Sequence, residues 1–168
     1  MIALAAPASA KVTRASATGF VLEHTIDVPG TPEAVYDAFT QDIASWWDHA
    51  FSAHPKKLML DARPGGAFIE VFDDAGNGAK HGTVIYADRG KRLRVSGPFG
   101  LSGQAAELVC SLDFEAVDAG RTRLKLVVRA WGEIEKDWPP LADGAWNHFL
   151  VERFKPYMEK KAGSNKKK

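Results

Sequence analysis

The sequence predicts an α+β domain: a curved antiparallel sheet of six to seven strands wrapped around a long C-terminal helix, with two short helices after the first strand. Three observations lead there. Between Leu141 and Lys161, apolar residues (Ala142, Ala145, Trp146, Phe149, Leu150, Phe154, Tyr157 and Met158) recur at spacings of three and four, one broad stripe of a helix. Its rings bury more area than simple docking needs, so they call for a concave partner surface. The chain upstream supplies one, because alternating apolar and polar segments joined by short glycine-bearing turns are the pattern of antiparallel neighbours.

Taken in order, Leu22, His24, Ile26 and Val28 alternate with Glu23, Thr25 and Asp27 as one strand, which Pro29-Gly30 ends. Thr31 is a suitable N-cap, with Pro32 and Glu33 in the first turn of a helix, and Val35, Ala38, Phe39, Ile43 and Trp46 form its apolar stripe. The stripe breaks near Gln41-Asp42, giving a second short helix that carries Trp46-Trp47. A loop with His49 and His54 follows, then a short strand from Leu58 to Asp61 and a turn at Arg63-Pro64-Gly65-Gly66. Strands are expected over Ala67–Asp73, Lys80–Ala87 and Arg92–Gly97. Pro98 to Gly103 is a glycine-rich loop. In the long hairpin after it, Leu108, Cys110, Leu112 and Phe114 face in beside Leu124, Leu126, Val128 and Ala130. Pro156, inside the last helical pattern, predicts a kink.

One domain suffices for the 168 residues, of which 45% are hydrophobic, and residues 20–161 are assigned to it. The net charge is +1, but five lysines and no acid lie between Lys160 and Lys168, leaving the rest at −4. That balance excludes a nucleic-acid footprint and makes residues 162–168 a disordered basic tail. The single cysteine rules out an intrachain disulfide and a paired-thiolate metal site, and no apolar run reaches the length of a membrane span. Residues 1–10 read as the remnant of a leader, with Ala8-Ser9-Ala10 as a small-x-small cleavage site, and residues 11–19 as a flexible approach segment. A periplasmic or secreted location is the expectation.

Several local features carry a resemblance: PGTPEAVYDAF at Pro29–Phe39, the Trp46-Trp47 pair, the Arg63-Pro64-Gly65-Gly66 turn, Gly82-Thr83-Val84, Leu93-Arg94-Val95-Ser96-Gly97 and the closing segment from Gly144-Ala145-Trp146 to Tyr157-Met158-Glu159. In these and in its order of elements the chain resembles the helix-grip superfamily, also called START-like or SRPBCC. Within it, the chain is similar to the branch related to activators of the heat-shock chaperone ATPase, as a single-domain, exported bacterial member. The resemblance implies the helix-grip fold over about residues 20–161. Its motifs are structural, so it does not name a reaction.

In such a fold the gap between sheet and helix forms a mostly apolar pocket. The expected wall is Trp46, Trp47, Phe51, Phe68, Phe99, Leu101, Trp146, Phe149 and Leu150, although the same stripe also fits ordinary core packing. Phe99 and Leu101, on a glycine-rich loop, suit a lid. His24 is placed inward by alternation and needs a partner, a core partner fitting better than a ligand. Glu70 would be an acid or base if inward, with a solvent-facing side chain the default. His81 and His148 are weaker candidates of the same kind. Asp48, His49 and His54 lack compact metal-ligand spacing, and Cys110 reads as an inert buried thiol. No catalytic residue, metal or cofactor is assigned. The first functional reading is a carrier or sensor of a small hydrophobic molecule, such as a lipid, fatty acid, isoprenoid or aromatic metabolite. The alternatives are a polyketide cyclase-like or aromatase-like enzyme using the same cavity, and a co-chaperone-like protein-interaction module.

Overall fold

Alternating apolar residues become the concave face of a single eight-stranded antiparallel sheet in the computed structural model, which describes residues 9–16, 18–48 and 50–165. The strands are β1 (Ser9–Ser16), β2 (Gly19–Pro29), β3 (Lys57–Leu60), β4 (Ala67–Val71), β5 (Gly78–Asp88), β6 (Arg92–Gly97), β7 (Ala106–Asp118) and β8 (Arg121–Gly132), in the order β1-β2-β8-β7-β6-β5-β4-β3. Because β2 pairs with β8, the start of the chain closes onto its long hairpin. A row of inward residues then crosses five strands in register: Leu22, Val128, Cys110, Val95 and Val84, all buried. This continuous apolar surface is what the helix covers.

Helix α1 (Pro32–Gln41) begins where its capping residues predict, the hydroxyl of Thr31 accepting the N–H of Ala34 at 3.3 Å. The second short helix is a single 3-10 turn, Ile43–Ser45, that stops just before the tryptophan pair. The closing helix is longer than its apolar stripe: α2 (Trp138–Asn147) runs through a π segment, His148–Phe154, into α3 (Lys155–Asn165). Pro156 lacks an N–H and its ring crowds the carbonyl of Glu152. The wider π turn ending two residues earlier gives that carbonyl room, so the expected disturbance takes the form of a π segment. Trp146, Phe149, Leu150, Phe154 and Met158 are buried against the sheet. The Tyr157 hydroxyl donates to Asp42 Oδ2 at 2.8 Å, and Lys161 reaches the same carboxylate, tying α3 to the end of α1.

Two expected boundaries are corrected. Residues 9–16 are strand β1, where a flexible approach was expected for 11–19; the segment is low in large apolar residues, but an edge strand needs only backbone partners, which β2 supplies from Ser9↔Thr25 to Ser16↔Gly19. It adds an eighth strand to the six or seven expected. The last helix continues to Asn165, so the basic tail is helical in its first residues. Most of the leader assignment, residues 1–8, and the final three lysines lie outside the described residues.

Candidate functional site

The sheet and helix do not close completely, and between them lies a cavity of about 360 Å³. Its wall is built from six places in the chain. Trp47, Ala50 and Phe51 come from the segment after the 3-10 turn; His81 from β5; Pro98 to Leu101 from the loop after β6; and Trp138, Leu141, Ala142, Ala145, Trp146 and Phe149 from the helix. Phe20 and Leu108 complete it from the sheet. Phe51 (47% exposed) and Leu141 (63% exposed) mark its rim, since both line the cavity and reach solvent. His81 is the one titratable side chain on the wall among the described residues.

The rings are mutually ordered. Trp47 stacks on Phe149 and stands edge-on to Phe68 and Trp146, while Phe99 meets Phe68 at 6.3 Å and Trp146 at 6.1 Å between centroids. Phe99 has φ +51°, a left-handed conformation that an aromatic residue rarely adopts, and it is 9% exposed. The loop that sequence alone makes a lid, Phe99–Leu101, is a 3-10 turn that points Phe99 inward as part of the wall, with Leu101 half-buried beside it.

Of the residues singled out from sequence, Trp47, Phe51, His81, Phe99, Leu101, Trp146 and Phe149 meet at this cavity. The others do not. Trp46 is 1% exposed and packs between Phe39 and Phe154, at 4.8 and 4.9 Å, because the 3-10 turn sends the first tryptophan of the pair into the core and the second to the cavity. Leu150 is fully buried under the sheet. Phe68 touches only a void of about 20 Å³ next to the main cavity, room for about one water-sized sphere.

His24 is buried on the inner face of β2, with Nε2 3.2 Å from Asp143 Oδ1 on α2. The spacing is that of an ion pair, but the atoms are not aligned for a hydrogen bond and neither has another partner. Burial holds the His24 imidazole below its ordinary pKa, and the charge of Asp143 offsets this in part. Glu70 is not solvent-facing: it is 1% exposed, on the same face of β4 as Phe68. Its Oε2 accepts the N–H of Phe51 at 2.9 Å and its Oε1 that of Ser52 at 2.8 Å. These two amides give the carboxylate the hydrogen bonds that burial requires, which a strand pattern cannot show.

His81 carries more of the site than the sequence suggested. Its ring lies between Phe51, parallel at 5.3 Å, and Phe68 at 4.7 Å, and its Nε2 is 3.4 Å from Glu70 Oε2. The usable signal was the glycine pair Gly82 and Gly97: a Cβ on Gly97 would stand 2.4 Å from the carbonyl oxygen of His81, so only glycine lets β6 approach there. His148 sits outside the cavity, bridging Asp48 and Glu152 at 2.9 Å each, and these acids, Glu152 first, raise its pKa. Burial works against ionisation of Asp48, but the hydrogen bond from His148, followed by the charges of His148 and Arg153, holds its carboxyl below the usual range. His54 is exposed, and His49 lies outside the described residues. No cluster of three or more metal-ligating side chains occurs among the described residues, and no helix there is long and apolar enough to cross a membrane.

A curved antiparallel sheet gripping a long C-terminal helix around an apolar cavity defines a helix-grip, START-like domain. Residues 29–159 match the family model described as Activator of Hsp90 ATPase homolog 1-like protein, and the chain belongs to that family. Among solved structures it is similar to a Rhodobacter sphaeroides protein (20% identity over 92% of this chain and 99% of that one, TM-score 0.62). It is also similar to CalU16 of Micromonospora echinospora (18%, 90% and 82%, TM-score 0.59) and to the Aha1 dimer of Colwellia psychrerythraea (18%, 83% and 96%, TM-score 0.57). At these identities the likeness is one of fold. The search of curated proteins finds no match.

Proposed function

We propose that the protein binds a small hydrophobic molecule in the cavity between its sheet and its C-terminal helix, as a carrier or sensor. The observation that carries this is the cavity itself: about 360 Å³, walled by the rings of Trp47, Phe99, Trp146 and Phe149, and open at a rim of exposed apolar side chains. Binding is driven by burial of apolar surface, and a planar or elongated apolar ligand suits walls of ordered rings.

The enzyme reading needs proton-moving groups at the void. His24 is turned to Asp143 and Glu70 to backbone amides, and neither lines the cavity. Only His81, backed by Glu70, favours it. A co-chaperone-like role draws support from the family's description alone.

The test is titration with N-phenyl-1-naphthylamine, a neutral apolar fluorophore, together with native mass spectrometry of protein purified from its own host. One probe bound per chain, with quenching of tryptophan emission, is expected. Absence of both probe uptake and any co-purifying small molecule overturns the reading.

A further inference from the structure

Glu70 is costly where it stands: a carboxylate only 1% exposed, with His81 Nε2 at 3.4 Å from its Oε2. Two consecutive backbone amides, from Phe51 and Ser52, converge on its two oxygens from 18 and 19 residues away in sequence. The segment they belong to is otherwise irregular, and Phe51 is 47% exposed, so burial alone does not fix the position of its ring. The ring nevertheless lies within 12° of parallel to His81 at the mouth of the cavity. A rigid strand thus holds a rim residue by its backbone and leaves its side chain over the opening.

We infer that Glu70 is a positioning residue for ligand retention: by fixing the backbone at Phe51 and Ser52 it holds the Phe51 ring against the mouth of the cavity, and so sets how long a bound molecule stays. This rests on the cavity being a ligand site. A ring held in place in the free protein spends no ordering entropy on binding, and loosening it acts mainly on dissociation.

The experiment is stopped-flow release of N-phenyl-1-naphthylamine from wild type, Glu70→Gln, Phe51→Ala and the double variant, with urea stability measured in parallel. Gln keeps the size of Glu70 but presents one acceptor oxygen where two amides need acceptors. Each single variant is expected to raise the dissociation rate about tenfold with association changed by no more than about twofold, and the double variant to release no faster than the quicker single one. Independent, multiplying effects, or a Glu70→Gln protein that loses stability without releasing faster, overturn the inference. Should Glu70→Gln not fold, Ser52→Pro removes one of the two amide donors and leaves Glu70 in place. It is then expected to speed release, and unchanged release is contrary. If wild type takes up no probe, the cavity reading fails and a retention role for Glu70 falls with it; uptake by wild type with unchanged release in the variants overturns the role of Glu70 alone.

Discussion

Trp47 lies flat on Phe149, with ring centroids 3.7 Å apart and planes 12° from parallel. The contact joins the segment after the 3-10 turn to the π segment of the closing helix. It is bracketed by ion pairs from Asp48 to His148 and, at 3.0 Å, to Arg153. Both rings face the cavity, so the stack is at once part of the scaffold and part of the binding wall.

Replacing Trp47 with Leu should therefore act twice. Stability should fall by about 1 to 3 kcal/mol, from lost ring packing and partial cavity formation. Affinity for N-phenyl-1-naphthylamine should fall about tenfold, since one wall is gone. Urea unfolding and a probe titration read the two effects separately. Unchanged affinity would remove Trp47 from the ligand wall.

Phe99 offers a sharper comparison, because its φ of +51° is unfavourable for every residue with a Cβ. Phe99→Ala loses the ring and keeps the strain; Phe99→Gly loses the ring and relieves the strain. The glycine variant should be the more stable by about 1 kcal/mol, reversing the usual order of alanine over glycine. Both should bind the probe more weakly than wild type. An alanine variant more stable than the glycine one in urea would show that the position carries no strain.

Cys110 is 1% exposed in the middle of the inward row of the sheet, and burial pushes its thiol well above the ordinary cysteine pKa. Iodoacetamide should label it only as fast as the whole domain opens, with a rate that rises with urea in step with global unfolding. Rapid labelling of the native protein would place a local opening at the centre of β7.

The sheet and closing helix are legible because their signals are periodic: the alternations in β2, β7 and β8 each mark one buried face, and the stripe from Ala142 to Met158 marks the helix that covers them. The edge strand β1 is not legible, since backbone pairing to β2 leaves no apolar alternation in a segment whose only large apolar residue is Val12 among Ser, Ala, Lys, Thr and Arg. The cavity wall is legible by residue type but not by direction. Trp46 and Trp47 are neighbours in sequence, and the geometry of one 3-10 turn decides which enters the core. Glu70 and His81 are harder still. Their partners, the amides of Phe51 and Ser52 and the ring of Phe51, come from an irregular segment whose return to β4 and β5 no periodicity encodes.

The two best-defined histidines make opposite contributions to stability across pH. His24 is buried and its pKa is lowered in the folded state, chiefly by desolvation, so the folded protein binds that proton more weakly than the unfolded chain. Its contribution is complete above the unfolded value of 6.5 and is lost as pH falls from 6.5 through the folded pKa. His148 is raised by Glu152 and Asp48, so its contribution is complete below 6.5 and is lost as pH rises through its folded pKa. Asp42 and Asp48, both held below 3.8, titrate beneath this window. Stability in urea should therefore peak near pH 6.5 and decline on both sides, on the acid side through the folded pKa of His24 and on the alkaline side through that of His148. His24→Leu should flatten the acid side alone, and His148→Gln the alkaline side alone. An acid-side slope unchanged in His24→Leu would mean that the imidazole between β2 and α2 is protonated equally in the folded and unfolded chains.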